Sequence, residues 1–522
     1  MLMKKLAGAV AGLALSFAVL ALICFAEDSG TASNGALEYS FSQRTRSPEF
    51  IDDLGPEATL SRSKTDTAFL TPTEINQDLD QFQTDLEGRY AYLRYNEPDY
   101  AGAIQAIRDI SGDGMSVDDF DIELTKVLAL SIDGHGSVVG GLFPEGYLPF
   151  RIDRIGNRYI AFWPDRRNFI SASYPFITKI DNMSIDEWRA ALSVVVSKGS
   201  PSYQTHYGLR YLEYVRFARS LAGVEDPDVV EIELESRDGS RRVTAALEIA
   251  DDPPRVETWP VSESGFLDGN IGYLRIDSWL EDAPVEIATW MPRFEGTRGL
   301  IIDIRDNRGG SRGYLLGLYP YFVSASDPPY VANAAKYRLY SEFTYDHLAG
   351  RNMYRENWIG WTPAERSAIS EFMETFEPEW EVRESEFSDW HFWLLSKTSK
   401  PDAYDYQGPI IFLMNKLCWS ASDVILSSVK GLPNVTLIGE PSVGASGARI
   451  ITTLGNSGLD LYLSSMASFQ NTGQLYETNG IQPDIYLEPR PEFFLQNGDD
   501  RVLRYAIQRI AGPRRAGRRV ER

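Results

Sequence analysis

RGLIIDIRDNRGG, residues 298–310, runs from an unbroken apolar stretch, Leu300-Ile301-Ile302, into a polar segment closed by Gly309 and Gly310. Short Ile/Leu-rich runs without polar alternation are the signature of strands buried on both faces. NIGYLRID (270–277), GPIIFLMN (408–415) and VTLIGE (435–440) share it. Helical stretches beginning near Gly313 and Ser420 separate these runs. The alternation predicts an α/β core with a mainly parallel sheet between about Ser262 and Pro489. Paired glycines at a strand end let backbone approach a ligand and turn N–H groups toward developing negative charge, although a plain turn has the same composition.

Outward from this core the chain changes character. Residues from about 140 to 258 carry short β-like runs (RYIAFW, FITKI, DVVEIELES, RRVTAALEI) broken by turn signals and one amphipathic helix, SIDEWRAALSVVV, which predicts a small α+β module. Residues 73–139 read as a helical domain. Its first helix spaces Leu79, Phe82, Leu86 and Tyr90 at three or four, with Thr73 and Asn76 as a capping pair. The second covers about Tyr100–Ile110. The third runs from Ser116 to Ile132, with Ile122, Leu124, Val127, Leu128 and Leu130 as core candidates. Inside the core, the aromatic insertion 324–407 (NMYRENWIGW, WHFWLL) is expected to form helices covering one side. Residues 491–522 read as a C-terminal helix and a basic tail, Arg514 to Arg522.

The first 26 residues pair two lysines with a long apolar stretch and small residues at the −3 and −1 positions before Glu27, the pattern of an export signal. A retained N-terminal anchor and a lipidated Cys24 are the alternatives. Residues 27–72, rich in Ser, Thr, Gly and acids, read as a leader or linker. The expected location is the periplasm, the cell envelope or outside the cell.

With 522 residues the chain is long enough for several domains. A net charge of −23 argues against nucleic acid or anionic membrane as partner, since either needs a basic face. Two cysteines exclude a disulfide scaffold, and four histidines with no HExxH, P-loop or GxGxxG pattern imply neither metal nor nucleotide cofactor.

Two further segments could carry chemistry. In NKLCWSASDVIL (415–426) a strand end meets a helix start, where a serine hydroxyl can be exposed in a sharp turn. Ser420 and Ser422 fit an ordinary N-cap as well, and Cys418 is a third nucleophile option. His135, in the glycine-flanked loop SIDGHGSV (131–138), is the histidine best placed as a base. His206, His347 and His391 lack such a context.

Together these segments resemble the carboxyl-terminal processing (tail-specific) peptidase family and its tricorn-like branch, from about Thr73 to Pro489. DIRDNRGG is similar to the family's D-L-R-x-N-x-G-G, the run 415–426 to its nucleophile segment, GLPNVTLIGEPSVGASG (431–447) to the strand and loop that follow, and NGIQPDIYLEP (479–489) to its closing motif. The resemblance implies a ClpP/crotonase-like core over 259–490, a PDZ-like module over 140–258 with an insertion near 199–224, and a serine endopeptidase acting on proteins or peptides. The tail-specific lysine position is Ala445 here, so a Ser-Lys site is not implied. The tricorn-like branch takes its base from a D-x-H loop, which SIDGHGSV matches, and Glu477 stands where that branch has a glutamate. The implied triad is Ser420, His135 and Glu477, with Gly309 or Gly310 and Ala421 supplying the oxyanion hole. Base and nucleophile then come from different domains, whose docking would set activity. A non-catalytic binding protein on the same scaffold, or a hydrolase of other acyl compounds, are the competing readings. Oligomeric state is not implied.

Overall fold

The computed structural model describes residues 68–254, 262–340, 346–496 and 498–512. The segment expected to be an export signal, most of the expected leader and the basic tail lie outside them.

Helix α1 (Pro72–Arg89) buries Ile75, Leu79, Phe82 and Leu86 on one face. Its cap is Thr71 with Glu74 rather than Thr73 with Asn76: Pro72 suits the first helical position, where its missing N–H costs nothing, and the cap falls just before it. Helices α2 (Tyr100–Ile110) and α3 (Val117–Leu128) complete the group. Because α3 stops at Leu128 rather than Ile132, Leu130 is exposed; Ile122 is only half-buried. Strand β1 (Ser137–Val139) follows the histidine loop.

The next module is an antiparallel sheet in sequence order: β2 (Arg151–Ile155), β3 (Arg158–Phe162), β4 (Phe176–Ile180), β5 (Val229–Glu235) and β6 (Arg242–Glu248). Helix α4 (Ile185–Leu192) lies after β4 and buries Trp188 completely. Residues near 199–224 add helices α5 (Pro201–Glu213) and α6 (Val215–Ala222). Trp419, Val443 and Ala445 belong to this module's apolar core, which therefore reaches into the nucleophile segment.

The central sheet begins with β7 (Gly265–Leu267), β8 (Ile271–Arg275) and, after helix α7 (Asp282–Trp290), β9 (Gly299–Asp303). After an insertion it continues with β13 (Ile410–Met414), β14 (Val435–Gly439) and β18 (Ile485–Tyr486). Only the β7–β8 pairing is antiparallel. Successive side chains of a strand point to opposite faces, and both faces here are covered. Leu300, Ile302 and Phe412 pack with helix α9 (Ala421–Val429), whereas Ile301, Ile411 and Leu413 pack with Val502, Ala506 and Ile510 of α10 (Arg501–Ala511). That double burial is why these strands read as unbroken apolar runs.

The aromatic insertion corrects an expectation. Its described residues form strands β10 (Tyr330–Tyr337), β11 (Tyr354–Arg355) and β12 (His391–Leu395) and the α-helix α8 (Pro363–Thr375). Phe392 and Leu394 face one apolar cluster, Trp393 and Leu395 another, so WHFWLL is a doubly buried strand rather than a helix face. With β17 (Met466–Gln470) these strands make a second sheet. Strands β15 (Arg449–Thr453) and β16 (Asp460–Ser464) precede β17, and β1 pairs with β16. The helical segment and the core thus share both a sheet and an apolar cluster, in which Leu79, Phe82 and Leu124 meet Leu461, Leu463 and Phe469.

Candidate active site

Ser420 sits where β13 turns into α9, with φ 57° and ψ −115°. A non-glycine residue there stores roughly 1–3 kcal/mol of strain, which the surroundings must enforce. Trp419 N–H donates to the Asn307 carbonyl at 3.1 Å, and Ser422 N–H to the Trp419 carbonyl at 3.0 Å. Ser422 Oγ donates to the Asn307 carbonyl at 2.8 Å and accepts from Trp279 Nε1 at 3.0 Å, so its hydroxyl is tied into the scaffold. The Ser420 hydroxyl caps no helix N–H; instead Oγ lies 3.2 Å from His135 Nε2. Cys418 is fully buried and donates to the Ile304 carbonyl at 3.1 Å. Burial pushes its thiol pKa up, opposite to what a thiolate nucleophile needs.

His135 reaches Ser420 because its loop is bolted down at several points. Asp133 Oδ1 accepts the His135 N–H at 2.8 Å and the Ser464 hydroxyl at 2.8 Å, while its other oxygen accepts the Ser464 N–H at 3.2 Å. The Trp419 ring stacks on the imidazole, 5.1 Å between centroids at 28°. A Cβ at Gly134 would stand 2.9 Å from the Ala445 Cβ. The small residue at 445 therefore leaves the room that the histidine loop fills. Burial, and then the charges of Arg449, Arg351 and Arg312, hold the imidazole well below its ordinary pKa of 6.5. Gly447 N–H points at Nδ1, 3.3 Å away.

Glu477 makes no hydrogen bond with His135. It is wholly buried, and its Oε1 accepts the Ser446 N–H at 2.8 Å, one residue before the peptide N–H that meets Nδ1. Its Oε2 lies by the Tyr92 hydroxyl without a well-formed hydrogen bond. Burial above all pushes the carboxyl up to about 8. Asp423 anchors the neighbouring loop in the same way. It accepts the Gly444 N–H at 3.0 Å, the Ala445 N–H at 3.1 Å and the Ser442 hydroxyl, lashing residues 442–445 to the start of α9.

Gly309 and Gly310 have φ of 112° and 128°. A Cβ at Gly309 would stand 2.7 Å from the Ser420 Cβ, and one at Gly310 2.0 Å from the Trp279 carbonyl oxygen, so neither position admits a side chain. The Gly309 N–H is taken by Asn307 Oδ1 at 2.9 Å. The N–H groups of Gly310 and Ala421 have no hydrogen-bond partner among the described residues. Of the two glycines, Gly310 is thus the one with a donor to offer an oxyanion.

Ser420 and His135 are brought together, Gly309, Gly310 and Ala421 flank them, and Glu477 stands one peptide removed. Sequence reasoning missed Asp133, Asn307, Asp423, Trp419 and Ser464 as supports. The first four lie within the motifs quoted above; Ser464, 331 positions from Asp133, carries no local signal. Among the described residues no group of His, Cys, Asp and Glu side chains is arranged to hold a metal, and no helix is long and apolar enough to cross a membrane.

Residues 270–487 match the family model described as peptidase family S41. Among solved structures, mature CPAF complexed with lactacystin is 18% identical, with 80% of this chain and 94% of that one covered and a TM-score of 0.56. A CPAF point mutant gives 17%, 80%, 93% and 0.58. The photosystem II D1 C-terminal processing protease is 14% identical over 80% of this chain and 94% of its own, with a TM-score of 0.41. The two CPAF structures share this chain's fold.

Proposed function

We propose that residues 270–487, which match the peptidase family S41 model, form a serine-peptidase domain, and that the protein is an exported endopeptidase acting through an acyl-enzyme on Ser420. The observation that carries this is the 3.2 Å approach of His135 Nε2 to a hydroxyl held in a strained strand-to-helix turn, beside two unbonded N–H groups.

Ser420 Oγ attacks the scissile carbonyl while its proton passes to His135 Nε2. The carbonyl oxygen, now negative, receives the N–H groups of Gly310 and Ala421. Collapse of the tetrahedral intermediate breaks the C–N bond, and the proton on Nε2 leaves with the amine. Water then repeats the sequence on the ester, restoring Ser420 and releasing the acid. For the first step the ring proton must be on Nδ1. The resting contact from Gly447 N–H instead favours a proton on Nε2, so the 446–447 peptide must yield its place at Nδ1 as the site becomes active. Glu477 acts on His135 through that peptide as a positioning residue. Substrate binding that moves this peptide would set the imidazole in its working tautomer.

The β-rich module is read as PDZ-like. Its core encloses Trp419, Val443 and Ala445, which supports a bracing role for the nucleophile loop in addition to any contact with substrate. Residues 1–26 are read as the signal that exports the chain.

Incubation of the purified chain with an unfolded protein, followed by mass spectrometry of the products, tests the reading. New internal termini are expected, absent with Ser420→Ala and His135→Ala. Cleavage that survives Ser420→Ala would overturn it.

A further inference from the structure

Three arginines crowd the same site: Asp133 bears on Arg449, but no carboxylate among the described residues bears on Arg312 or Arg351. Arg312 follows the Gly309-Gly310 turn by two residues and is only 4% exposed. Its guanidinium reaches neutral partners alone: Asn333 Oδ1 at 2.5 Å, Met353 Sδ at 3.6 Å and Ser446 Oγ at 3.4 Å. Arg449 begins β15, two residues after the Gly447 N–H that meets His135 Nδ1, and its Nη1 is buried without a hydrogen-bond partner. Arg351 ends a short turn two residues before Met353, the Arg312 contact, and its Nε is likewise buried and unpartnered. Each of the three bears electrostatically on His135, and Arg351 feels both of the others.

Among the described residues none of the three forms an ion pair. The nearby carboxyls form no ion pair with the three: Asp133 is hydrogen-bonded to His135 and Ser464 and offsets part of the Arg449 charge alone, and Glu477 is bonded to the Ser446 N–H. Elsewhere this protein pairs its buried arginines, as Arg305 is with Asp303 and Asp500, and Arg219 with Asp181 and Asp226. Burying unpaired charge is costly, and three like charges in one place add mutual repulsion. In a chain of net charge −23 such a concentration of uncompensated cation calls for an anion from outside.

We propose that Arg312, Arg351 and Arg449 form a carboxylate-binding subsite beside Ser420 and His135, so that preferred substrates present an acidic side chain or a free C-terminal carboxylate close to the scissile bond. The planar guanidinium fork with several donors matches a carboxylate, and burial strengthens the attraction. A bound carboxylate would also offset the positive charges that, after burial itself, hold His135 below its ordinary basicity. An acidic substrate thereby improves the base that must take the Ser420 proton. The subsite rests on the Ser420–His135 reading only for this last consequence, since binding alone can be measured without turnover.

The test uses full-length Ser420→Ala protein and fluorescent octapeptides of alanine and leucine. In one series, all with amidated ends, a glutamate is walked along the peptide against glutamine controls. In the other, the all-neutral peptide carries a free or an amidated C-terminus. Anisotropy titration should show one carboxylate placement binding about tenfold or more tightly than its neutral counterpart, the scale of a charge-assisted hydrogen bond. The series in which the preference appears identifies its source as side chain or chain end. Arg351→Gln and Arg449→Gln should each reduce the ratio, and Arg351→Lys should preserve more of it than Arg351→Gln, with thermal denaturation verifying that each variant folds. Absence of carboxylate-selective binding, or a ratio unchanged in both glutamine variants, overturns the subsite. Selective binding by Ser420→Ala with no cleavage by the wild-type chain would instead support the subsite and sink the peptidase reading.

Discussion

Glu477 offers the sharpest quantitative check on how the site is held. Its carboxyl is fully buried, bonds one backbone N–H through Oε1, and is pushed from 4.5 up to about 8, chiefly by burial. A folded-state value above the unfolded one means that the unfolded chain releases this proton first as pH rises. Stability is therefore full below about pH 4.5, falls through the window between 4.5 and 8, and is level above it. At 1.36 kcal/mol per unit, the loss across that window is at most about 5 kcal/mol, less whatever relaxation and water entry recover. Glu477→Gln removes the ionisation while keeping an acceptor for the Ser446 N–H. Urea unfolding of the glutamate and glutamine forms, both in a Ser420→Ala background to prevent self-digestion, isolates the effect from the other raised carboxyls, Asp121, Asp133, Asp423 and Glu440. The stability difference between the two should shift in favour of the glutamine form by several kcal/mol from pH 5 to pH 8. A difference constant to within about 0.5 kcal/mol, the size of an ordinary surface substitution, would refute a neutral buried acid at this position.

Other expectations follow from the same geometry. Gly310→Ala puts a methyl 2.0 Å from the Trp279 carbonyl at φ 128°; it should cost roughly 2–4 kcal/mol in urea unfolding and abolish peptide cleavage. Because the His135 imidazole is held well below 6.5, it stays neutral and able to accept a proton as the medium acidifies, so the acid limb of kcat/KM should lie below pH 6.5. A limb at or above 6.5 would contradict the buried, cation-flanked histidine. Ala445→Lys should not create a working Ser-Lys pair: the longer side chain must displace the Gly134 loop, and both Tm and cleavage should fall, as differential scanning and a peptide assay would show.

The central sheet was legible because its strands are buried on both faces and carry no competing pattern, as in Leu300-Ile301-Ile302. WHFWLL misled for the same physical reason in another place. Its residues fill two cores at once, and a short doubly buried strand has no periodicity to tell it from a helix. The α1 cap lies two residues before the expected Thr73 because Thr71 and Thr73 both suit the role locally, and Pro72 decides between them. At the site, Ser420, His135 and the glycine pair stood in compact local motifs. Long-range partners left no such mark: that Ser464 secures Asp133, or that Arg312, Arg351 and Arg449 converge, depends on how distant segments meet in the fold. The docking of the helical segment on the core has a definite form that no local pattern foretold, since β1 hydrogen-bonds to β16 and ties the histidine loop directly to the core.

The most direct measurement is labelling of the purified chain with a serine-directed phosphonate, located by intact mass and peptide mapping, with His135→Ala run in parallel. One adduct on Ser420, lost or strongly slowed without His135, is the result predicted. An adduct on another residue, or labelling of Ser420 at an undiminished rate in His135→Ala, would contradict an activated Ser420–His135 pair.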